Sequence, residues 1–141
     1  MLMSDTVKLS MIEIVSRLQR IDLPAIDLIV GIASGGIVPA CLLAYKLQKP
    51  LQLIHINYRD VHNKPKFGQP QLLENFQIEQ LNQRILIVDD VSVTGSTLNF
   101  VKALLKNQQV WTFTMKGLAD FVLFPEISSC VTWPWKSRSS V

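Results

Sequence analysis

Two short apolar runs, residues 26–33 (IDLIVGIA) and 85–89 (ILIVD), constrain the fold of this chain more than any other feature. Such nearly continuous runs are typical of the central strands of a parallel sheet, because helices cover both faces of that sheet. Each run leads through small and hydroxyl residues into a helical pattern, at residues 37–47 and 96–107. This order predicts an α/β fold with a central, mainly parallel sheet flanked by helices.

The remaining elements and the ligand edge follow from the same pattern. Ser10 and Glu13 form a capping box that predicts an earlier helix. Further strands are predicted at residues 7–9, 51–57, 110–115 and 121–124. Ligands bind beyond the carboxyl ends of the strands in such sheets. The three most unusual segments, residues 31–36, 58–80 and 89–97, are predicted to lie at that edge, and the second is a long polar loop.

Composition narrows the function classes. At 141 residues with 48% hydrophobic and 18% charged residues, we expect one globular domain over residues 1–141. A net charge of +3, with its densest basic stretch only at residues 59–66, disfavours nucleic acid as a partner. No apolar run approaches the length of a membrane span, and no signal peptide is evident. Cys41 and Cys130 lack metal-site spacing, so we expect a buried Cys41 thiol and a reducing, cytoplasmic location.

The strand at residues 85–89 carries the chemistry. Asp89 and Asp90 end it, and the residues Val93, Thr94, Gly95, Ser96 and Thr97 then enter a helix. Backbone N–H groups and hydroxyls at a helix N-terminus suit a phosphate, and Gly95 lets the backbone approach it. Two simpler interpretations are solvated acids and a plain Ser or Thr helix cap. Acids directly before a phosphate-type loop favour anion binding, and no P-loop or GxGxxG motif competes.

This stretch resembles the phosphoribosyl pyrophosphate (PRPP) signature of type I phosphoribosyltransferases. The resemblance implies their fold, with a small hood built from the chain ends. It also implies transfer of the 5-phosphoribosyl group from PRPP to a nitrogenous base, with release of pyrophosphate and Mg²⁺ as cofactor. By resemblance, Asp89 and Asp90 are the catalytic and metal-binding acids. Residues 93–97 would hold the 5′-phosphate, and residues 58–80 would be the flexible catalytic loop.

A second match lies at residues 31–40 (GIASGGIVPA), which resemble the pyrophosphate loop of bacterial xanthine-guanine phosphoribosyltransferases. The pyrophosphate contacts implied by this match are Ala33, Ser34, Gly35 and Gly36. Lys116 and Val131 are the implied base contacts, and residues 133–135 (WPW) match the Pro-Trp of the same relatives. A 6-oxopurine such as xanthine, guanine or hypoxanthine is the preferred base, and a homodimer or homotetramer is expected.

Three positions depart from these relatives. Ser34 replaces an arginine of the pyrophosphate loop, Val93 replaces an aspartate that handles the proton on purine N7, and Cys130 replaces a tryptophan that stacks on the base. The ribose-phosphate half therefore matches better than the base half. A non-catalytic regulator that binds PRPP or a nucleotide is the alternative function.

Overall fold

The computed structural model describes residues 6–57 and 70–136. Eight strands and three helices occupy this part of the chain. They are β1 Val7–Lys8, α1 Met11–Arg20, β2 Leu28–Ala33, α2 Ile37–Leu47, β3 Leu51–Asn57, β4 Gln71–Leu72, β5 Arg84–Ser92, α3 Ser96–Leu104, β6 Gln109–Gly117, β7 Phe121–Val122 and β8 Val131–Thr132. Within these residues no helix is long and apolar enough to cross a membrane.

The main sheet has six strands in the order β4-β3-β2-β5-β6-β7. All neighbouring pairs are parallel except β3 and β4. The two predicted apolar runs form β2 and β5, which are neighbours at its centre, and every residue of β2 is buried. The predicted α/β fold is therefore confirmed.

Helices cover both faces of this sheet. On one face, α1 and α2 contribute Ile14, Leu18 and Leu43 to a cluster with Leu86 and Phe113. On the other face, α3 packs through Leu98 and Val101 against alternate residues of the same strands. The capping box of α1 is present, since the Glu13 N–H donates to Ser10 Oγ at 3.1 Å. The Glu13 carboxylate accepts the Ser10 N–H at 3.0 Å.

A small hood brings distant parts of the chain together. β1 pairs in parallel with β8, placing Val7 opposite Val131, and the Val7 N–H donates to the Cys130 carbonyl at 2.9 Å. Arg17 of α1 fastens the segment that leads into β8. Its Nη1 donates to both oxygens of Glu126, at 2.9 and 2.8 Å, and the guanidinium lies over the Phe124 ring. The predicted hood is thus formed by residues 7–8 and 131–132 together.

An ion pair closes the opposite, amino end of the central strands. Arg84 donates from Nε and Nη2 to the two oxygens of Asp27 at 2.9 and 2.7 Å, and its N–H donates to the same carboxylate at 2.9 Å. The hydrogen bonds from the Arg84 side chain, and then from its backbone, hold the pKa of Asp27 well below its usual range. The same pairing raises the pKa of Arg84.

Several element boundaries were predicted wrongly. β5 continues past the predicted end at Asp89 to Ser92, because it pairs with β6 as far as Ser92 opposite Gly117. α3 stops at Leu104, since the chain turns at Leu105 and adopts φ 69° at Asn107. The predicted strand at residues 121–124 is shortened to β7.

The predicted long loop at residues 58–80 holds an unpredicted strand. β4 pairs antiparallel with β3, placing Leu72 opposite Ile56. The rest of that prediction falls mostly on residues 58–69, outside the described residues, as does the basic stretch at 59–66. The prediction for Cys41 was also wrong, because its thiol is exposed. α2 buries Pro39, Ala40 and Leu43, which leaves Cys41 on the outward side of the helix.

Candidate active site

The candidate site lies at the carboxyl ends of β2 and β5, the two neighbouring strands between which the strand order changes direction. β3 lies on one side of this pair and β6 on the other, so the turns after β2 and β5 meet at one edge. A cavity of about 680 Å³ opens there. Of the residues predicted to form the site, those lining the cavity are Ala33, Ser34, Gly35, Asp89, Asp90, Val93, Thr94, Gly95, Ser96, Thr97, Lys116 and Val131.

The loop after β5 is open and polar. Gly95 is the N-cap of α3 and has φ 85°, a conformation that glycine adopts without a Cβ penalty. Thr94 Oγ1 accepts the Ser96 N–H at 3.2 Å and lies 2.8 Å from Ser96 Oγ. The N-cap of α3 is Gly95, which has no side chain, and the Thr94 hydroxyl instead accepts one N–H of the first turn. The loop thus places N–H groups and hydroxyls at the N-terminus of α3, the kind of groups that suit a phosphate.

The turn after β2 is much tighter. Gly36 is buried, and its N–H donates to the Ile32 carbonyl at 2.7 Å. A Cβ at this position would lie 2.5 Å from the Val88 carbonyl oxygen. Gly36 therefore packs helix against sheet and does not line the cavity, unlike Ser34 and Gly35 beside it. The peptide bond between Ala33 and Ser34 is cis.

The two acids lie inside β5 and differ in surroundings. Asp89 Oδ1 accepts the Asp90 N–H at 2.8 Å, and Asp90 Oδ1 accepts the Val91 N–H at 2.8 Å. The Asp90 carboxylate lies directly against the turn after β2, since a Cβ on Gly35 would be 2.6 Å from both of its oxygens. Asp90 thus faces the tight turn, close to the start of the open loop.

The end of the cavity that holds the predicted base contacts is built by β6 and the hood. Lys116 lies within β6, whereas the sequence predicted it at the end of that strand. Its Nζ donates to the Ser129 carbonyl at 2.6 Å and to the Ser128 carbonyl at 3.4 Å. Cys130 and Val131 line the same part of the cavity. Val93 is 65% exposed and adds an apolar side chain to the cavity lining.

Eight lining residues were not among the predicted site residues, namely Ile32, Ile56, Val91, Ser92, Leu98, Cys130, Trp133 and Lys136. Trp133 stacks on Trp135 with ring centroids 5.5 Å apart, and Lys136 Nζ lies 3.9 Å from Asp90 Oδ2. For Lys136 the sequence offered one signal. It is the polar residue directly after the Trp-Pro-Trp segment, and that segment matches the Pro-Trp of the xanthine-guanine relatives. No sequence feature marks Ile56 as a cavity residue, because it only continues the alternating apolar and polar pattern of a strand.

The acids fit a magnesium ion by the chemistry of their oxygens. Mg²⁺ prefers one or two carboxylates and completes its shell with water and substrate phosphates. The described residues hold no group of three or more His, Cys, Asp or Glu side chains that could hold a metal ion. Asp89 and Asp90 are the residues that would hold Mg²⁺.

Comparisons with known proteins agree with this geometry. A family model for the phosphoribosyl transferase domain matches residues 11–119. Orotate phosphoribosyltransferase of Sulfurisphaera tokodaii is 33% identical over 96 residues, covering 68% of this chain and 41% of that protein. Transcriptional regulator GfcR of Methanocella arvoryzae is 34% identical over 85 residues, covering 59% and 41%. The chain therefore spans about two fifths of the length of these curated relatives.

The fold also matches solved structures. The purine phosphoribosyltransferase of Pyrococcus horikoshii aligns with a TM-score of 0.73 at 22% identity, covering 94% of this chain and 95% of that chain. At this identity the match concerns the fold, and it is the type I fold that the sequence predicted. Since the family model covers most of the chain, the protein belongs to the phosphoribosyl transferase domain family.

Proposed function

We propose that this chain transfers the 5-phosphoribosyl group of PRPP to a nitrogen of a heterocyclic base and releases pyrophosphate. The observation that carries the proposal is the meeting of two acids and an open phosphate-type loop in one cavity. The loop, residues 93–97, holds the 5′-phosphate through N–H groups and hydroxyls. Asp89 and Asp90 accept hydrogen bonds from the ribose hydroxyls.

The chemistry that this arrangement supports breaks the C1–O bond between the ribose and the diphosphate and forms a C1–N bond to the base, whose nitrogen loses its proton to water. Positive charge develops on the ribose as pyrophosphate leaves, and the carboxylates of Asp89 and Asp90 stabilise it electrostatically. Mg²⁺, when bound, neutralises charge on the departing diphosphate. The turn at Ser34 and Gly35 borders this subsite, and the contact of Gly35 with the Asp90 carboxylate keeps turn and acid together.

A 6-oxopurine is the proposed acceptor. Its exocyclic oxygen accepts a hydrogen bond from the Lys116 ammonium, which the carbonyls of Ser128 and Ser129 orient. Two of the three ammonium protons have partners there, so one remains for the base. The similarity to an orotate phosphoribosyltransferase makes a pyrimidine the competing base.

The cellular location and the oligomeric state are also part of the proposal. A reducing, cytoplasmic location is supported by the free thiols of Cys41 and Cys130. Assembly as a homodimer or homotetramer is supported by the exposed apolar side chains of Ile12 and Tyr45 on α1 and α2.

The test is release of pyrophosphate when protein, Mg²⁺ and PRPP meet a panel of bases. We expect turnover with guanine, xanthine or hypoxanthine, and much less with adenine or orotate. Turnover confined to orotate would overturn the choice of base while leaving the reaction intact. A matched Lys116→Met variant is expected to lose 6-oxopurine turnover and keep PRPP binding.

A second candidate function is regulation without catalysis. It is favoured by the exposed Val93, which can neither accept nor donate a proton, and by the similarity to a transcriptional regulator. The same assay separates the two functions. Binding of PRPP or a nucleoside monophosphate, seen as a raised melting temperature, without turnover of any base selects the regulator.

A further inference from the structure

A single lysine stands beside the Asp90 carboxylate at the mouth of the cavity. Lys136 Nζ lies 3.9 Å from Asp90 Oδ2, and Lys136 lines the cavity with it. This distance allows charge attraction but is too long for a hydrogen bond. The ammonium donors are therefore not used by the carboxylate, and the side chain is 57% exposed and free to reorient.

Asp90 links this lysine to the turn after β2. The Asp90 carboxylate lies against Gly35, and its Oδ2 lies 3.9 Å from the Lys136 ammonium. The ammonium is consequently a few ångströms from the turn proposed to border the diphosphate. That turn is formed by Ala33, Ser34, Gly35 and Gly36, none of which carries a charge.

The backbone of Lys136 is held firmly while its side chain is not. Its N–H donates to the Trp133 carbonyl at 3.1 Å, closing a turn. Trp133 is only 4% exposed and stacks on Trp135 with an interplanar angle of 1°. The stacked tryptophans fix the position of the Lys136 backbone. The long side chain of Lys136 lets its ammonium move between Asp90 and a ligand.

We propose that Lys136 binds the diphosphate group of PRPP, an inference that rests on the proposed function. A diphosphate next to two carboxylates needs nearby positive charge, and the turn after β2 supplies none. Among the cavity-lining residues in the described part of the chain, the cations are Lys116 and Lys136. Lys116 is committed to the Ser128 and Ser129 carbonyls at the base end. Lys136 is the cation at the diphosphate end.

The test measures binding of three probes by calorimetry at fixed Mg²⁺, using the full chain. The probes are PRPP, inorganic pyrophosphate and ribose 5-phosphate. We expect Lys136→Met to weaken PRPP and pyrophosphate binding at least about tenfold, the scale of a hydrogen bond to a charged group. Ribose 5-phosphate, which lacks the diphosphate, is expected to keep its affinity within about twofold. Lys136→Arg is expected to recover most of the loss.

The matched control is Lys106→Met, which removes the same charge at an exposed site that does not line the cavity. It is expected to leave all three affinities unchanged. Equal loss of all three probes in Lys136→Met, or no loss at all, overturns the assignment of Lys136. If the native chain binds pyrophosphate through Lys136 but neither PRPP nor ribose 5-phosphate, Lys136 remains a ligand of diphosphate, whereas the proposed function and the role of Lys136 in binding PRPP both fail. A native chain that binds none of the probes overturns both.

Discussion

The two turns at the ligand edge follow neighbouring strands but are built in opposite ways. In the turn after β2, Gly36 is buried against the Val88 carbonyl and its N–H is already bonded to Ile32. In the loop after β5, Gly95 has its nearest non-adjacent atom, Asn99 Nδ2, 3.6 Å from a would-be Cβ, and Val93 is largely exposed. The turn after β2 is packed against the rest of the protein, and the loop after β5 is open to the cavity.

The difference shows that a glycine-rich turn is not by itself a binding loop. Both segments look alike in sequence, because each places glycine between a buried strand and a helix. Only the loop after β5 leaves its polar groups facing the cavity along its whole length. The tight turn contributes mainly by holding Gly35 against Asp90. Substitutions in the two turns are therefore expected to separate stability from binding.

The largest effect is expected for the acids between the turns. Asp89→Asn combined with Asp90→Asn should weaken Mg²⁺-dependent PRPP binding about a hundredfold, since charged hydrogen bonds are worth about 1.5–3 kcal/mol each. Stability should change little, because an amide oxygen can still accept the Asp90 and Val91 N–H groups. Calorimetry and thermal unfolding measure the two quantities. A double variant that binds PRPP like the native chain contradicts the role of both acids.

Gly36→Ala tests the packed turn. The backbone at Gly36 has φ −87°, which alanine adopts freely, so any loss comes from the contacts of the added methyl group. That methyl would meet backbone oxygens of Val88 and Ile32 at 2.5 and 2.8 Å, and backbone cannot move cheaply. We expect a loss of about 2 kcal/mol in the free energy of unfolding, measured with denaturant. An unchanged midpoint would show that the turn is loosely packed.

Val93→Asp tests the open loop. The side chain is mostly exposed, so a carboxylate there costs little desolvation. A positioned acid or base supplies at most about 10²–10⁴ in rate, and repulsion of the phosphate opposes it. We expect a gain of about tenfold in kcat on a 6-oxopurine, or 1.4 kcal/mol in the barrier. A slower variant would mean that another group already handles the proton.

Gly95→Ala is the counterpart of Gly36→Ala. Here space is available, and the cost comes from the left-handed backbone at φ 85°. A non-glycine residue in that region costs about 1 kcal/mol. Denaturant unfolding of the two alanine variants side by side is the measurement. If Gly95→Ala proves the more damaging of the two, the assignment of packed and open turns is reversed.

The smallest effect is expected at the opposite end of the strands. Asp27→Asn removes the pairing that lowers the pKa of Asp27. A carboxylate with a lowered folded-state pKa stabilises the fold above its unfolded value of about 3.9, and loses that contribution as the pH falls through the folded value. The difference in unfolding free energy between native chain and variant should be largest near neutral pH and shrink below about pH 4. PRPP affinity should be unaffected, and a loss there would link the two ends of the sheet.

Sequence reasoning was strongest where burial dictates the pattern. The apolar runs of β2 and β5 and the start and end of α2 were predicted well, since the strands are almost continuously apolar and glycine followed by Pro39 marks the start of α2. It failed where pairing across strands decides the outcome. Asp89 and Asp90 look like strand-ending residues, but hydrogen bonds with β6 carry β5 on to Ser92.

The site was predicted in the same uneven way. Consecutive residues of the loop after β5 could be assigned because one motif contains them all. Lys136 could not, because only the β1–β8 pairing and the stacked tryptophans bring it back to Asp90. Gly36 was assigned to the pyrophosphate, since a sequence does not distinguish a glycine needed for packing from one needed for ligand approach.

The hood also sets the order in which the cavity can be completed during folding. Its two strands pair residues 7–8 with residues 131–132, so this contact closes a loop that spans nearly the whole described chain. Contacts between such distant residues carry the highest closure entropy and tend to slow folding. The α/β layers can assemble from nearer contacts first. We therefore expect the wall carrying Val131, Trp133 and Lys136 to close last, after the loop at residues 93–97 has formed.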